Sequence, residues 1–421
     1  MRQTPAERVV EFLSLSTNVF PVVRFRKLTK REWDRLLLWM DDAGLAFYFL
    51  RKLEDTNQAT AIPPWVTDCL QEKFVSNRQR VTEMSLRFDV LNRAFNNAGV
   101  RYVVLKGFSL APQFCPDPVL RYQGDFDYLV DEKSLPRAQK VLVDAGYEAR
   151  SSPSSLEFIY ASPGRKPSRN RSAYAPDAPH AVELHLDAWD STTHEVRIAD
   201  RFFSVERKRM QCWNGLTFPA LDEEDAFLLQ VFHSCRHIFT YWIRTSSLLE
   251  IGLFLRQKSP DREFWSHIEQ RVGENPVLRE MVVVVAELVS RVFGAPLPDL
   301  IRAWGSRLRR PSRVWMDAYA RQWAFCELPV YQFSIFPASK LVLFLHRQYR
   351  DEATVKPSRI AMVASSARAN PSLLLRARWW KQQLPFRRCI FHVLANVRYV
   401  CEIPRWRWLN RSSLRSAPLD A

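Results

Sequence analysis

Arg121-Tyr122-Gln123-Gly124-Asp125-Phe126-Asp127-Tyr128-Leu129-Val130 reads as a β-strand entered through a glycine. Side chains two residues apart on a strand project the same way, so Asp125, Asp127 and Leu129 share one side and Phe126, Tyr128 and Val130 the other. The aromatic side belongs to a core. The acidic side is expected to face water, where two carboxylates can grip hard cations.

Working outward, Val100 to Leu105 is a short apolar run, partly β-branched, that suits a buried strand leading into Lys106-Gly107, with a helix expected to begin just beyond. On the other flank Ser134 can cap a helix and Pro136 fits its first turn; Ala138, Val141, Leu142 and Ala145 form its apolar stripe, and Gly146 ends it. Short strands follow from Tyr147 to Ala149, from Glu157 to Tyr160 and from Ala181 to Leu186. The Pro-, Ser- and Arg-rich stretch from Ser162 to His180 reads as a mobile loop. In the last of these strands Val182, Leu184 and Leu186 alternate with Glu183 and His185, which gives a third acid a polar face. Asp125, Asp127 and Glu183 can therefore converge.

The first hundred residues read as helical, most clearly from Asn77 to Asn97, where Val81, Met84, Leu86, Phe88, Leu91 and Phe95 recur mainly at helical spacing and Gly99 supplies the stop. Trp213 to Ala220 reads as a linker. Asp222 then caps a helix whose first turn, Glu223, Glu224 and Asp225, favours the positive end of the helix dipole. Apolar density continues to Leu255, and further helices reach Phe293 before Gly294, Pro296 and Pro298 break the pattern. No internal repeat is apparent.

Composition narrows the class. The 421 residues are 47% hydrophobic and 25% charged, as in ordinary globular proteins. No apolar stretch approaches the ~18 residues of a membrane span, and the start lacks a basic n-region and apolar h-region, so the expectation is a cytoplasmic protein. Seven dispersed cysteines without a Cys-x-x-Cys pair argue against a disulfide framework and a thiolate zinc site. The formal charge of +16 is uneven: 16 Lys and Arg face 4 Asp and Glu from Tyr331 to Ala421. There Arg376-Ala377-Arg378-Trp379-Trp380-Lys381 and Arg405-Trp406-Arg407-Trp408 interleave cations with indoles. This region is a solvated face, a nucleic-acid contact or an anionic membrane contact at the protein's periphery.

Paired carboxylates of this kind hold Mg2+, or Mn2+, against phosphate oxygens. In this reading Asp125, Asp127 and Glu183 are both the metal ligands and the catalytic set. Backbone amides after Gly107 and the charge of Lys106 meet a triphosphate. Arg121 either bridges Asp125 or touches nucleotide, and His185 is either a structural histidine or part of the site. His233 and His237, one helical turn apart around Cys235, raise a zinc reading that lacks a further ligand. No Walker loop, Rossmann fingerprint, HExxH motif or Ser/His/Asp arrangement is present.

Leu105-Lys106-Gly107, Arg121 with Asp125-Phe126-Asp127-Tyr128-Leu129-Val130, Gly146-Tyr147, Val182-Glu183-Leu184-His185 and the His233 to His237 stretch together resemble the uncharacterised bacterial nucleotidyltransferases of the DNA polymerase beta superfamily. The resemblance spans roughly residues 80 to 255. It implies an α+β protein with a small mixed β-sheet core flanked by helices, and Mg2+-dependent transfer of a nucleoside monophosphate from an NTP such as ATP to a hydroxyl. It places Lys106, Gly107, Arg121, His185, His233 and His237 among the nucleotide-binding residues. It leaves the acceptor open: small molecule, peptide, protein or nucleic acid. Lys106-Gly107 departs from the wider superfamily's glycine motif, which stands closer to the acids. The expected division is a helical region at 1–95, the nucleotidyltransferase-like core at 96–215, a helical domain at 216–330 and the basic region at 331–421. Two competing readings are an Asp-x-Asp glycosyltransferase, which explains neither Lys106-Gly107 nor Glu183, and a non-catalytic nucleotide-binding adaptor.

Overall fold

The computed structural model describes residues 3–16, 22–150, 156–162, 174–199, 201–239, 244–325, 340–350 and 386–411. The chain divides into two compact units, one spanning residues 1–190, 199–235 and 244–307 and the other 191–198, 236–243 and 308–421.

The first unit opens with helices α1 (Pro5–Phe12), α2 (Lys30–Ala43), α3 (Ala46–Asp55) and α4 (Pro64–Asn97). Capping boxes start two of them: Thr4 with Glu7 on α1 and Thr29 with Glu32 on α2 satisfy backbone donors that the helix leaves unpaired. α4 begins well before the expected Asn77, because Pro64 in its first turn needs no donor and presets the helical φ. Its buried stripe is Val81, Met84, Phe88, Leu91 and Phe95. Leu86, expected in that stripe, is 60% exposed, since its spacing from Met84 and Phe88 turns it to the far side.

A seven-stranded mixed sheet follows, built from β1 (Tyr102–Val104), β2 (Asp125–Val130), β3 (Glu148–Arg150), β4 (Glu157–Ala161), β5 (Ala181–His185), β6 (Lys208–Trp213) and β7 (Leu216–Leu221), in the order β3-β4-β5-β2-β1-β7-β6. The pairs β2–β5 and β1–β7 are parallel and the others antiparallel. Helix α5 (Leu135–Asp144) lies between β2 and β3 in sequence. Phe126, Tyr128 and Val130 join Val182 and Leu184 in one core with the α4 stripe and with Ala138 and Leu142 of α5. This is the side that strand parity reserves for the interior.

Two local expectations fail here. The stretch from Trp213 to Ala220 is a hairpin, not a linker, turning through Asn214 (φ +46°) and Gly215 (φ +80°). Asn-Gly is a strong two-residue hairpin signal because both positions tolerate positive φ. The helix expected after Gly107 is a four-residue 3-10 turn, Gly107–Leu110, so no extended helix start stands there.

The remaining helices in chain order are α6 (Ser191–His194), α7 (Glu223–Phe239), α8 (Thr245–Lys258), α9 (Arg262–Val272), α10 (Pro276–Phe293), α11 (Asp299–Ser306), α12 (Arg310–Ala318), α13 (Ala320–Ala324), α14 (Leu343–Tyr349) and α15 (Phe386–Arg411). α7 opens on the expected cap, the Asp225 amide donating to Asp222 Oδ1 at 2.9 Å. In the second unit Trp315, Tyr319, Trp323, Phe344 and Tyr349 are buried together with Leu341 and Val342. Residues 163–173 of the loop expected before His180 lie outside the described residues, as do Arg376 to Lys381, whereas Arg405 to Trp408 belong to α15. Among the described residues no helix is long and apolar enough to cross a membrane, and Cys69, Cys115, Cys212, Cys235 and Cys401 are free thiols.

Candidate active site

Register turns alternation into a cluster. Parallel pairing sets Asp127 opposite Glu183 and Leu129 opposite His185. On the far edge of β5, antiparallel β4 sets Glu157 opposite His185. Asp127, Glu183, His185 and Glu157 therefore gather on the sheet face opposite the aromatic core. One ligand atom from each of Asp127, Glu183 and His185 lies within 4.8 Å of the others. His185 Nε2 is 3.4 Å from Asp127 Oδ1 and 3.5 Å from Glu183 Oε2, and its Nδ1 is 3.9 Å from Glu157 Oε1.

The acidic side of β2 is not open to water: Asp127 is only 2% exposed. Burial of a carboxylate is costly unless it is paired, and two cations do the pairing here. The Lys106 ammonium stands 2.8 Å from Asp127 Oδ1, carried there because the Leu105 amide donates to the Asp127 carbonyl at 3.0 Å. The second partner is His185. Burial alone would raise the Asp127 carboxyl, but Lys106 and His185 override it and hold it well below the usual carboxylate range. Burial would likewise lower His185, yet its bonds to Asp127 and Glu183 carry it up to about 9. Asp125 behaves oppositely. Desolvation, then the like charges of Asp127 and Glu183, push its carboxyl up to about 7. It stands, partly buried, at the N-terminal end of β2.

Gly107 and Gln123 shape the approach to this cluster. Gly107 sits at φ +70°, and a Cβ there would strike the Gln123 side-chain amide. That amide donates to the Asp125 carbonyl at 3.0 Å, tying the glycine turn to the start of β2.

Arg121, His233 and His237 are not part of the group formed by Asp127, Glu183 and His185. Arg121, partly buried, forms its ion pair with buried Glu250 of α8, Nε to Oε1 3.1 Å. The Tyr48 hydroxyl donates to the same Glu250 oxygen at 3.0 Å and also lies 3.1 Å from Cys115 Sγ. Asp125 still contributes to the field on Arg121 from beyond this pair. His233 and His237 lie a turn apart on α7, partly buried and buried respectively, and neither belongs to the acidic cluster. Cys235 between them is buried with its Sγ 3.9 Å from the Met281 carbonyl; among the described residues no zinc-type group forms there.

Glu157 and Glu250 were not singled out from the sequence. Glu157 was within reach, since its strand was expected and only the register with β5 was missing. Glu250 carried no signal, because its partnership with Arg121 depends on how α8 packs.

Two carboxylates and an imidazole within 4.8 Å suit a divalent cation. Carboxylates favour Mg2+ or Mn2+, and the imidazole favours Mn2+ over Mg2+.

No curated protein matches the chain. Among solved structures it is similar to an antigenic nucleotidyltransferase-like protein from Paracoccidioides brasiliensis, at 14% identity over 52% of this chain and 94% of that one; the TM-score of 0.29 is too low to argue fold or site from it. A family described as uncharacterised nucleotidyltransferase matches residues 29–294, more than half of the chain and the whole of the sheet with its acidic cluster. The chain belongs to this uncharacterised nucleotidyltransferase family.

Proposed function

We propose that the chain transfers a nucleoside monophosphate from an NTP to an acceptor hydroxyl. The hydroxyl oxygen attacks the α-phosphorus, the bond from that phosphorus to the bridging oxygen breaks, pyrophosphate leaves, and the hydroxyl proton passes to water or a site carboxylate. The observation that carries the reading is the pairing of Asp127 with Glu183 across parallel strands, with His185 and Lys106 against them, inside the segment that matches a nucleotidyltransferase family.

Asp127 and Glu183 would hold a divalent ion, Mg2+ or Mn2+, with Asp125 beside them and His185 as a third ligand once it gives up the proton it carries against the two acids. When bound, such an ion neutralises phosphate charge and makes an acceptor hydroxyl easier to deprotonate. The chain's own contribution is position and field. Lys106, now spent on Asp127, supplies a point charge for a phosphate oxygen. Gly107 lets the main chain approach closely. Arg121, held by Glu250, adds positive potential behind Asp125. His185 steadies both acids while Glu157 stands behind its other nitrogen.

The test is incubation with each α-labelled NTP and Mg2+ or Mn2+, following label transfer and pyrophosphate release. Asp127→Asn and Glu183→Gln should each lower the rate by about a hundredfold or more. Equal transfer by wild type and the double variant discards the site.

A further inference from the structure

The basic region contains α15, whose two faces differ in kind. Ala395 and Tyr399 are buried, Phe344 stacks on Tyr399 and Trp406 with ring centroids 4.7 and 4.8 Å apart, and the Tyr319 hydroxyl donates to Glu402 at 3.1 Å. That face anchors the helix in the second unit. The opposite face carries Val393, Leu394, Val397, Val400 and Trp408, each more than half exposed. At about 100° per residue these five fall within an arc of roughly 120°. Exposed Pro404 and Cys401 lie in the same arc, exposed arginines border it, Arg398 and Arg405 on one edge and Arg407 on the other, and exposed Arg411 closes it at the C-terminal end of the helix.

We infer that this face of α15 is a docking surface for an anionic lipid bilayer, on which the helix lies in the plane of the headgroups. A contiguous stripe of exposed valines and leucine with a tryptophan gains free energy by entering the acyl boundary. Indole rings favour that depth, and arginine side chains can lay their stems along the apolar stripe while their guanidinium groups reach lipid phosphates. The sequence of α15 holds six arginines and one acid, Glu402, which is already bonded to Tyr319. Packing two copies face to face would therefore crowd arginine against arginine. A nucleic acid would use the arginines but leave the aliphatic stripe in water. Among the described residues no helix, α15 included, is long and apolar enough to cross a membrane, so the association is peripheral.

The experiment is co-sedimentation of the full chain with vesicles of phosphatidylcholine alone and of phosphatidylcholine mixed with phosphatidylserine, at low and at physiological salt. Wild type should partition about tenfold more strongly onto the anionic vesicles. Val397→Asp with Val400→Asp, substitutions at exposed positions, should reduce this to about a tenth or less. Arg398→Glu with Arg407→Glu should remove the preference for anionic lipid, with circular dichroism unchanged in both double variants. The proposal is overturned if wild type does not sediment with anionic vesicles, or if both double variants sediment as wild type does. It is equally overturned if the aspartates abolish a dimer in place of vesicle binding, or if the chain retains single-stranded DNA but not vesicles.

Discussion

At Gly107 the backbone occupies the left-handed region and the Gln123 amide fills the place a side chain would take. Gly107→Ala should cost about 2 kcal/mol in urea unfolding, from unfavourable φ and displacement of Gln123. It should slow nucleotidyl transfer as well, since the same amide ties the turn to Asp125. His180 offers a separate test. Its Nε2 lies 2.8 Å from the Tyr147 hydroxyl, and burial, helped by Arg87 and Arg80, pulls it from the ordinary 6.5 down to about 4. The folded chain therefore holds His180 neutral while the unfolded chain protonates it. The contribution of His180 to stability is full above pH 6.5 and is lost as pH drops toward 4, by about 3 kcal/mol in total. His180→Gln should flatten that part of the denaturation profile; an unchanged pH dependence counts against the assignment. At this scale Asp127 and Glu183 were legible because alternation needs only the sequence, whereas the union of His185 with Asp127 spans 58 residues and needs the register.

Phe88 is the ring on which α4 meets the sheet. Its centroid lies 5.0 Å from Phe108, 5.5 Å from Phe126 and 5.0 Å from Phe218, joining the helix to the glycine turn, β2 and β7. Phe88→Ala should cost about 3–5 kcal/mol in chemical denaturation. Asp225, in the first turn of α7, has a role beyond the helix dipole: it is wholly buried between Arg207 Nε at 3.1 Å and Arg271 Nε at 2.7 Å. Asp225→Ala should cost about 3 kcal/mol, chiefly by leaving the Arg271 guanidinium without its counter-charge while Arg207 keeps Asp222 at 2.8 Å, seen as a lower denaturation midpoint. The helical stripes of α4 and α5 were readable from period alone, apart from Leu86 and Ala145, both of which are exposed. The β6–β7 hairpin was also written in the chain, as Asn214-Gly215, and its flanking residues failed to signal a strand because Pro219 and the charged start of β6 mask the alternation.

For the whole molecule, a ligand that binds only the folded state adds RT ln(1 + [L]/Kd) to stability. Mn2+ or Mg2+ at a hundred times its Kd should raise the unfolding free energy by about 2.7 kcal/mol in wild type and leave Asp127→Asn with Glu183→Gln unmoved. Differential scanning calorimetry reads both. The charge of +16 bears on partners more than on fold: it is concentrated late in the chain, where α15 pairs it with an apolar stripe.

What belongs to the sequence alone is whatever repeats within a few residues: the acid-and-aromatic alternation of β2, the Glu183 and His185 face of β5, the helical stripes, and the basic excess at the end. Strand and helix periods are properties of the backbone, so a local pattern suffices to read them. Tertiary structure decided which residues met. It set Glu157 behind His185, gave Arg121 to Glu250 in place of Asp125, and buried Asp127 under Lys106. It also turned the valines of α15 outward. Each of these depends on strand register or helix packing between distant segments, which minimise buried unpaired charge over the whole fold and leave no mark on their immediate neighbours in the chain.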